Sequence, residues 1–285
     1  MNQIAITPLA SALGAEITGI DASTLDDSTF SQLRDALHDN IMLAVRGQAL
    51  TPAAQTEFAR RFGEIQYHIN SEYKMENQPE VLILSTETVD GKNIGIPDAG
   101  SDWHSDHSYV DRPTAYTILQ SIIVPKVGGD TEWISMVKAY ETLGDVMKAR
   151  IQGLTGIHSF NRMSNPRLKR PTRHENPETY FAERSPPNAF HPIVRTHPAT
   201  GRKALFISPR FTIGIKDMTD EEAQLLLDEL FVHIANREFV YRHNWRSGDL
   251  VMWDNRQTLH LALGGVIPPE VRRMHRTTVL GEVPF

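Results

Sequence analysis

The chain has 285 residues, 40% of them hydrophobic, enough to form a substantial core in one large domain or two small ones. Its 29 Lys and Arg residues against 35 Asp and Glu residues give a formal net charge of -6 with no long run of one sign, which argues against a nucleic-acid-binding or anionic-membrane-binding protein. Because cysteine is absent, disulfides, thiolate metal sites and cysteine nucleophiles are excluded, and any metal must be held by histidine and carboxylate.

No apolar run approaches the ~18 residues that span a bilayer, and the opening MNQIAITPLA lacks the pattern of a signal peptide. We therefore expect a cytoplasmic protein with no membrane partner. The sequence leaves open whether the chain forms a homo-oligomer, either a dimer or a tetramer.

Helical periodicity and short apolar runs predict two helices, each followed by a strand, in the N-terminal part of the chain. In chain order these are a helix over 25–40, a strand over 41–45, a helix over 51–64 and a strand over 80–85. The second helix has the clearest ends, because Thr51 would cap it, Pro52 would lie in its first turn and Gly63 would end it.

From residue 103 onward the pattern changes to short strands separated by Gly, Pro and Asn turns, which favours an antiparallel sandwich or barrel. The predicted strands are 114–124, 129–136, 191–198, 203–208, 249–255 and 273–281. Two helices interrupt them, one over 135–153 and one over 218–236, and the second opens with the capping box Thr219 to Glu222.

One segment, 161–190, is basic, rich in proline and without apolar periodicity. Loops of this length in a compact domain are usually lids or disordered. We expect a lid or a mobile insertion here, within a single domain over 1–285.

The stretch DWHSDHSY, residues 102–109, places two histidines and an aspartate close together. On a strand, His104 and Asp106 would point to one face and His107 to the other. Two histidines and one carboxylate on one face of an octahedron suit an oxygen-activating Fe(II) site, but a hydrogen-bonded polar pair is the ordinary interpretation of His-x-Asp. His260, which follows WDNR in an apolar strand, is by the same standard a hydrogen-bonded core histidine.

Four motifs in a fixed order change these interpretations: WHSDHSY, GGDTEW, WDNRQTLH and RRMHRTTVLGEVP. Together they resemble the taurine dioxygenase branch of the Fe(II)/2-oxoglutarate-dependent dioxygenases. The opening ITPLASALGAEITGID and the helix end RRFGE resemble it too, so the similarity runs nearly end to end. The resemblance implies a mainly β fold with packed helices, a double-stranded β-helix (jelly roll) core, and catalytic Fe(II) ligands His104, Asp106 and His260, with 2-oxoglutarate as cosubstrate and O2 as oxidant.

In VRRMHRTTVLG, residues 271–281, strand alternation places Arg272 and Arg276 on one face, about 13 Å apart. If that face is interior, each guanidinium needs its own anion, since unpaired buried charge is costly; a solvated edge strand is the alternative that the strand alone favours. The resemblance implies instead that Arg272 and Thr131 hold the distal carboxylate of 2-oxoglutarate, and that Arg276 holds the anionic head group of the substrate.

Further substrate positions match the same branch. His68 falls where taurine dioxygenases use a histidine against the sulfonate, and Phe211 falls on a phenylalanine of the pocket. Gly100 and Ser71 depart from the expected asparagine and tyrosine, unless Tyr73 takes the second place. These departures affect the part of the site that would recognise the amine end of taurine.

The predicted function is therefore hydroxylation of a small anionic organic substrate, an organosulfonate such as taurine, with aldehyde, sulfite, succinate and CO2 as products. The same chemistry on an alkyl sulfate, an aryloxyalkanoate or an amino-acid-like metabolite is the alternative. Outside this class, the sequence allows a jelly-roll protein that binds a metal or anion without turnover. It also allows a zinc hydrolase, which would not need Arg272 and Thr131.

Overall fold

The computed structural model describes residues 4–69, 71–97, 99–168 and 175–285. The strands in these ranges are β1 (Ala5–Pro8), β2 (Ala15–Thr18), β3 (Met42–Val45), β4 (Lys74–Met75), β5 (Gln78–Ser85), β6 (Thr88–Val89), β7 (Lys92–Asn93), β8 (Thr114–Ile123), β9 (Thr131–Ser135), β10 (Thr155–His158), β11 (Ala189–Pro192), β12 (Val194–Thr196), β13 (Lys203–Leu205), β14 (Thr212–Ile215), β15 (Val240–His243), β16 (Leu250–Asp254), β17 (Thr258–Ala262) and β18 (Arg273–Leu280). The helices are α1 (Asp27–Asn40), α2 (Pro52–Arg60), α3 (Met136–Glu141), α4 (Asp145–Ile151), α5 (Pro177–Arg184) and α6 (Asp220–Ile234).

Two sheets enclose the central core. The larger has eight strands in the order β1-β2-β3-β16-β8-β18-β5-β4, and the smaller has the order β15-β9-β17. Trp133 of the smaller sheet contacts Trp253 of the larger one, with ring centroids 5.4 Å apart, and both side chains are buried. This arrangement confirms the predicted mainly β fold with a double-stranded β-helix core.

The central strands β16 and β8 of the larger sheet are buried on both faces. In β16, Leu250 and Met252 pack with α1 and α2, whereas Val251 and Trp253 pack toward the smaller sheet. A strand between two apolar layers needs no polar face, which explains the continuous apolar run that precedes WDNR. The strand therefore ends with its polar residues at the edge of the core, where a site can form.

The structure confirms the predicted helices α1, α2 and α6 and corrects two details. The helix predicted over 135–153 is two helices, α3 and α4, because Gly144 is extended (φ -65°, ψ 153°) and precedes the first residue of α4. The helix α2 starts as expected after its Thr51 cap but ends at Arg60, before Gly63. No helix in the described ranges is long and apolar enough to cross a bilayer.

The predicted lid falls partly outside the described residues, since 169–174 belong to neither flanking range. Its described flanks pack on the domain. Phe181 of α5 is buried 5.7 Å from Phe160, ring centroid to centroid, and Asn165 donates from Nδ2 to the carbonyl of Pro209 at 2.9 Å. The role of this segment as a lid stays a prediction.

The last strand is central and not an edge. β18 pairs with β8 on one side and β5 on the other, so the solvated-edge interpretation is wrong. Met274, Arg276 and Thr278 are buried, as alternation predicts for an interior face. Val279, on the opposite face, is buried as well because it packs in the same cluster as Phe58 of α2. Arg272 lies immediately before the strand.

Candidate metal centre and active site

The two sheets bring His104 and His260 together. The residues form an isolated antiparallel bridge, in which His104 N donates to His260 O at 3.1 Å and His260 N donates to His104 O at 2.8 Å. Their imidazole centroids are 4.1 Å apart. The strand geometry considered for DWHSDHSY does not apply, because only His104 is paired and the chain turns from Asp106 onward, with His107 in the left-handed region at φ 51°.

Asp106 completes a group of three buried metal-ligating side chains. Its Oδ1 lies 3.8 Å from His104 Nε2 and its Oδ2 lies 3.8 Å from His260 Nε2. One ligand atom from each of the three residues lies within 4.8 Å of the others. The ring of His104 donates from Nδ1 to the carbonyl of Asp102 at 2.8 Å, which leaves its Nε2 with a lone pair for a metal. The donor set fits a divalent iron with open positions.

Two side chains that the sequence did not single out hold the carboxylate of Asp106. Thr117 Oγ1 donates to Asp106 Oδ2 at 2.7 Å and accepts from Asn255 Nδ2 at 2.9 Å. Asn255 Oδ1 accepts from Asp106 N at 3.1 Å and from Trp253 Nε1 at 3.0 Å. The asparagine of WDNR therefore orients a residue far away in sequence, and the motif itself was the only signal that could have pointed to it.

The electrostatics of the group favour the protonation states that metal binding requires. Burial lowers the pKa of His104 and lowers that of His260 well below its usual range. Burial by itself would raise the pKa of Asp106, but the Arg276 guanidinium and the two imidazoles lower it more, so that it lies below its usual range. Two neutral imidazoles and one carboxylate are thus available at neutral pH.

Arg272 lines a cavity of about 220 Å³, which Ala262 of β17, two residues after His260, also lines. Its Nε donates to the carbonyl of Gly129 at 3.1 Å, and its guanidinium lies 5.9 Å from the ring centroid of Trp245. Burial lowers the pKa of Arg272 to about 10, an effect that Asp130 partly offsets. Within the described part of the chain no carboxylate forms an ion pair with Arg272, so an external anion would stabilise it.

Trp245 connects Arg272 to Thr131. It donates from Nε1 to Thr131 Oγ1 at 3.0 Å while its ring faces the guanidinium. Because the threonine oxygen accepts this bond, its own proton stays available for an anion beside Arg272. Sequence analysis named Thr131 and Arg272 but missed the tryptophan between them.

The three predicted substrate residues also lie around the metal-ligating group. Arg276 Nη1 is 3.3 Å from Asp106 Oδ1, and its buried Nε has no hydrogen-bond partner among the described residues. Phe211 is buried with its ring 5.9 Å from that of His104. Burial, followed by the charge of Arg276, lowers the pKa of His68 well below its usual range, so that its ring is neutral at neutral pH.

The departures from the taurine pattern have partly structural explanations. Gly100 has φ 78°, and a Cβ on it would lie 3.1 Å from His104 Cε1. A side chain at this position would therefore strain the backbone and crowd the ring of His104. Ser71 begins a short 3-10 turn that ends at Tyr73, and residue 70 before it lies outside the described residues.

His107 was predicted to point away from the site, but it lies inside it. Its ring centroid is 5.1 Å from that of His68, and the side chain is buried. Burial lowers the pKa of His107 to about 4, with Asp106 opposing this effect and Arg276 adding to it. The turn that begins at Asp106 explains the error, because strand alternation does not apply there.

A second group has the same composition, namely His38, His197 and Asp254. Its carboxylate is already occupied. Arg256 donates from Nε to Asp254 Oδ1 at 2.8 Å and from Nη2 to Oδ2 at 2.6 Å, and His197 Nε2 contacts Oδ2 at 2.9 Å. His38 Nε2 is hydrogen-bonded to Tyr116 Oη at 2.6 Å. This group is therefore a closed hydrogen-bond network, in which both imidazole Nε2 atoms and both carboxylate oxygens already have protein partners.

Comparisons with known proteins agree with this geometry. The family model described as taurine catabolism dioxygenase TauD, TfdA family matches residues 5–278. An alpha-ketoglutarate-dependent 2,4-dichlorophenoxyacetate dioxygenase of Cupriavidus pinatubonensis is 32% identical over 273 residues, covering 90% of this chain and 91% of that protein. An alkylsulfatase of Acinetobacter baylyi is 31% identical over 290 residues, covering 99% of this chain and 86% of that protein.

The fold comparison gives the same family. A crystal structure of a taurine dioxygenase from Burkholderia xenovorans superposes with a TM-score of 0.80 at 32% sequence identity, covering 99% of this chain and 90% of that chain. Members of this family are alpha-ketoglutarate-dependent enzymes, and alpha-ketoglutarate is 2-oxoglutarate. The chain belongs to the TauD, TfdA family and is a 2-oxoglutarate-dependent dioxygenase.

Proposed function

We propose that the protein hydroxylates a small organic anion, an organosulfonate such as taurine, with Fe(II), 2-oxoglutarate and O2. The observation that carries this proposal is the position of Arg276. Its guanidinium is buried and approaches Asp106 to 3.3 Å, and no described residue forms a hydrogen bond with its Nε. A substrate anion at this guanidinium would lie beside the metal-ligating residues.

In this proposal His104, Asp106 and His260 hold the iron. Bound Fe(II) supplies the activation of O2, coupled to the oxidative decarboxylation of 2-oxoglutarate to succinate and CO2. Thr117 keeps the carboxylate of Asp106 in a fixed orientation through a 2.7 Å hydrogen bond. Each of these residues is buried, so bulk water is kept away from the reacting atoms.

Arg272 and Thr131 are proposed to hold the distal carboxylate of 2-oxoglutarate. The planar guanidinium can form two parallel hydrogen bonds to a carboxylate. The stack on Trp245 fixes its orientation. Replacement of Arg272 by Met is expected to raise the KM for 2-oxoglutarate by about 100-fold, since a bidentate charged contact contributes roughly 3 kcal/mol.

The substrate itself would be held by Arg276, His68 and Phe211. Arg276 and His68 suit the sulfonate oxygens, and the ring of Phe211 suits the carbon chain. Hydroxylation of the carbon next to sulfur gives a 1-hydroxysulfonate. Cleavage of its carbon–sulfur bond then yields an aldehyde and sulfite (SO3²⁻), with the hydroxyl proton going to solvent.

The direct test is turnover by purified protein supplied with Fe(II), ascorbate, 2-oxoglutarate and air. Taurine-dependent release of succinate and sulfite in equal amounts supports the proposal. Slow succinate formation that taurine leaves unchanged, without sulfite, contradicts the sulfonate assignment while leaving the dioxygenase in place.

The assignment of His68 to the substrate has a sharper test. Replacement of His68 by Ala is expected to raise the KM for the sulfonate by about tenfold, as one lost hydrogen bond to an anion would, and to leave the KM for 2-oxoglutarate nearly unchanged. Equal increases in both KM values would contradict the assignment.

A second candidate substrate is an aryloxyalkanoate. Phe211 belongs to a buried aromatic cluster with Tyr109, Phe160 and Phe181, which forms an apolar wall next to His104. An aromatic tail would pack on such a wall, and a relative is named as a 2,4-dichlorophenoxyacetate dioxygenase. The same assay is repeated with 2,4-dichlorophenoxyacetate in place of taurine, and the succinate and the corresponding phenol are measured. The compound that gives coupled product release identifies the substrate class.

A further inference from the structure

Among the described histidines, His107 is buried beside the site and has no role in the proposed function. It follows Asp106 directly, has a side chain that is 5% exposed, and adopts φ 51°. Left-handed backbone is unfavourable for a residue with a Cβ, and such residues often mark functional sites. The position therefore calls for an explanation in terms of what its imidazole does.

A chain of hydrogen bonds fixes which ring nitrogen carries the proton. Gln66 donates from Nε2 to the carbonyl of Arg112 at 3.2 Å, so its Oε1 is an acceptor. Thr114 uses its single hydroxyl proton to donate to that Oε1. The oxygen of Thr114 must then accept from His107 Nδ1, which is 2.8 Å away. The proton of the neutral ring is on Nδ1, and Nε2 carries a lone pair.

That lone pair has no hydrogen-bond partner within the described ranges. His107 Nε2 is buried, and no donor among the described residues reaches it. A buried acceptor left without a hydrogen bond is unfavourable, and a ligand that donates to it would remove this cost. The ring lies 5.1 Å from His68, and the charges of Asp106 and Arg276 both act on it. The acceptor is therefore among the residues proposed to surround the substrate.

We propose that His107 Nε2 accepts a hydrogen bond from a hydroxyl or ammonium group of the substrate. This inference rests on the proposed function, because that function places the substrate beside Arg276. It makes the substrate bifunctional: an anionic head group at Arg276 and a hydrogen-bond donor at His107. A plain alkyl sulfonate would leave Nε2 unsatisfied and would be a poor substrate.

Two variants separate the acceptor from the packing of the ring. Asn at position 107 tolerates the left-handed backbone, and its amide can still donate to Thr114, but it has no acceptor at the place of Nε2. Gln at this position can present its side-chain oxygen near that place. Both variants are first compared with the native protein in thermal unfolding and in the KM for 2-oxoglutarate, which should not change if the fold is intact.

The experiment measures kcat/KM of the iron-loaded enzymes with three sulfonates of matched length. These are 2-aminoethanesulfonate, 2-hydroxyethanesulfonate and 1-propanesulfonate. Comparison of the first two also distinguishes an ammonium donor from a hydroxyl donor. The native enzyme should prefer a donor-bearing compound over 1-propanesulfonate by about tenfold, as one net hydrogen bond predicts. His107→Asn should abolish the preference by slowing only the donor-bearing compound, and His107→Gln should retain part of it.

Failure of the inference and failure of the proposed substrate give different results. Two further pairs are assayed in parallel: 3-hydroxypropyl sulfate with butyl sulfate, and 4-hydroxybutyrate with pentanoate. In one outcome, the native enzyme prefers the donor-bearing member only in the sulfate pair or only in the carboxylate pair, and His107→Asn removes that preference. This result supports the inference about His107 and contradicts the proposal that the substrate is a sulfonate. The inference is overturned if the native enzyme has the same kcat/KM for the donor-bearing compound and its methyl analogue in every pair. It is also overturned if His107→Asn lowers kcat/KM equally for both compounds.

Discussion

Two groups in the described part of the chain consist of two histidines and one aspartate, and all six side chains are buried. In the open group, His104, Asp106 and His260, the closest approach between an imidazole Nε2 and a carboxylate oxygen is 3.8 Å. In the closed group, His197 approaches Asp254 to 2.9 Å, and Arg256 binds the same carboxylate at two points. Residue types and burial are therefore the same, but the unused hydrogen-bonding capacity differs.

Unused lone pairs on the imidazole nitrogens are the feature that makes such a group a metal site. In the closed group, His197 also accepts at Nδ1 from the backbone N–H groups of Ala199 and Thr200, at 3.3 and 3.1 Å, so both of its ring nitrogens are used. In the open group, no hydrogen bond to a described residue uses Nε2 of either imidazole. A metal needs these lone pairs, and only the open group offers them.

The largest expected effect is the loss of the open group's metal. Replacement of Asp106 by Ala should reduce substrate-coupled succinate formation by at least about 1000-fold, because a catalytic metal contributes several kcal/mol. Calorimetric titration of the native protein with Mn(II) should give one site per chain, and the Asp106 variant should show none. His197→Ala is the matched control and should keep one site; a second site in the native protein would contradict the comparison.

The next effect belongs to the closed group and concerns stability. Replacement of Arg256 by Met leaves the carboxylate of Asp254 buried without its main partner, which should lower the free energy of unfolding by about 3–5 kcal/mol. Urea denaturation measures this. Arg150→Met, which removes an exposed ion pair to Glu229, should cost at most about 1 kcal/mol and serves as the control. Similar losses in both variants would show that the closed group has no special structural role.

The ion pair of Arg256 with Asp254 predicts that the free energy of unfolding depends on pH. Burial by itself raises the pKa of Asp254, but Arg256 and then His197 lower it more, so that it lies below its ordinary value of 3.8. The contribution of this carboxylate is thus fully present above the pKa of the unfolded chain and is lost as pH falls below it. The stability difference between native protein and Arg256→Met should narrow on acidification, because the buried Asp254 of the variant, without Arg256, protonates at a higher pH than that of the native protein. A difference that grows on acidification would contradict this sign.

The smallest effect concerns the group that orients Asp106. Replacement of Thr117 by Val removes the 2.7 Å hydrogen bond to Oδ2 and should weaken Mn(II) binding by about 10- to 100-fold. Thr278→Val is the matched control, since Thr278 is also buried but donates to the carbonyl of Gln66. Equal metal affinity in both variants would show that Thr117 does not position the ligand.

Much of the fold followed from local patterns. The caps at Thr51 and Thr219, the apolar strands and the turn residues between them depend on neighbours only a few positions away, and the structure confirms them. Two extrapolations of periodicity were wrong: the single helix predicted across Gly144 and the strand alternation applied across Asp106. In both places the chain changes direction, which periodicity does not detect.

The sequence by itself determined the composition of the site: His-x-Asp spacing, the WDNR motif and two arginines four residues apart, recognisable together as a family pattern. Only the tertiary structure decided which imidazoles keep free lone pairs. Asn255 reaches the backbone of Asp106 across 149 positions, Arg276 reaches the same residue across 170, and Asp254 is taken up by Arg256 and His197. Such pairings arise because strands distant in sequence become neighbours in the sheets, and hydrogen-bond saturation is decided there.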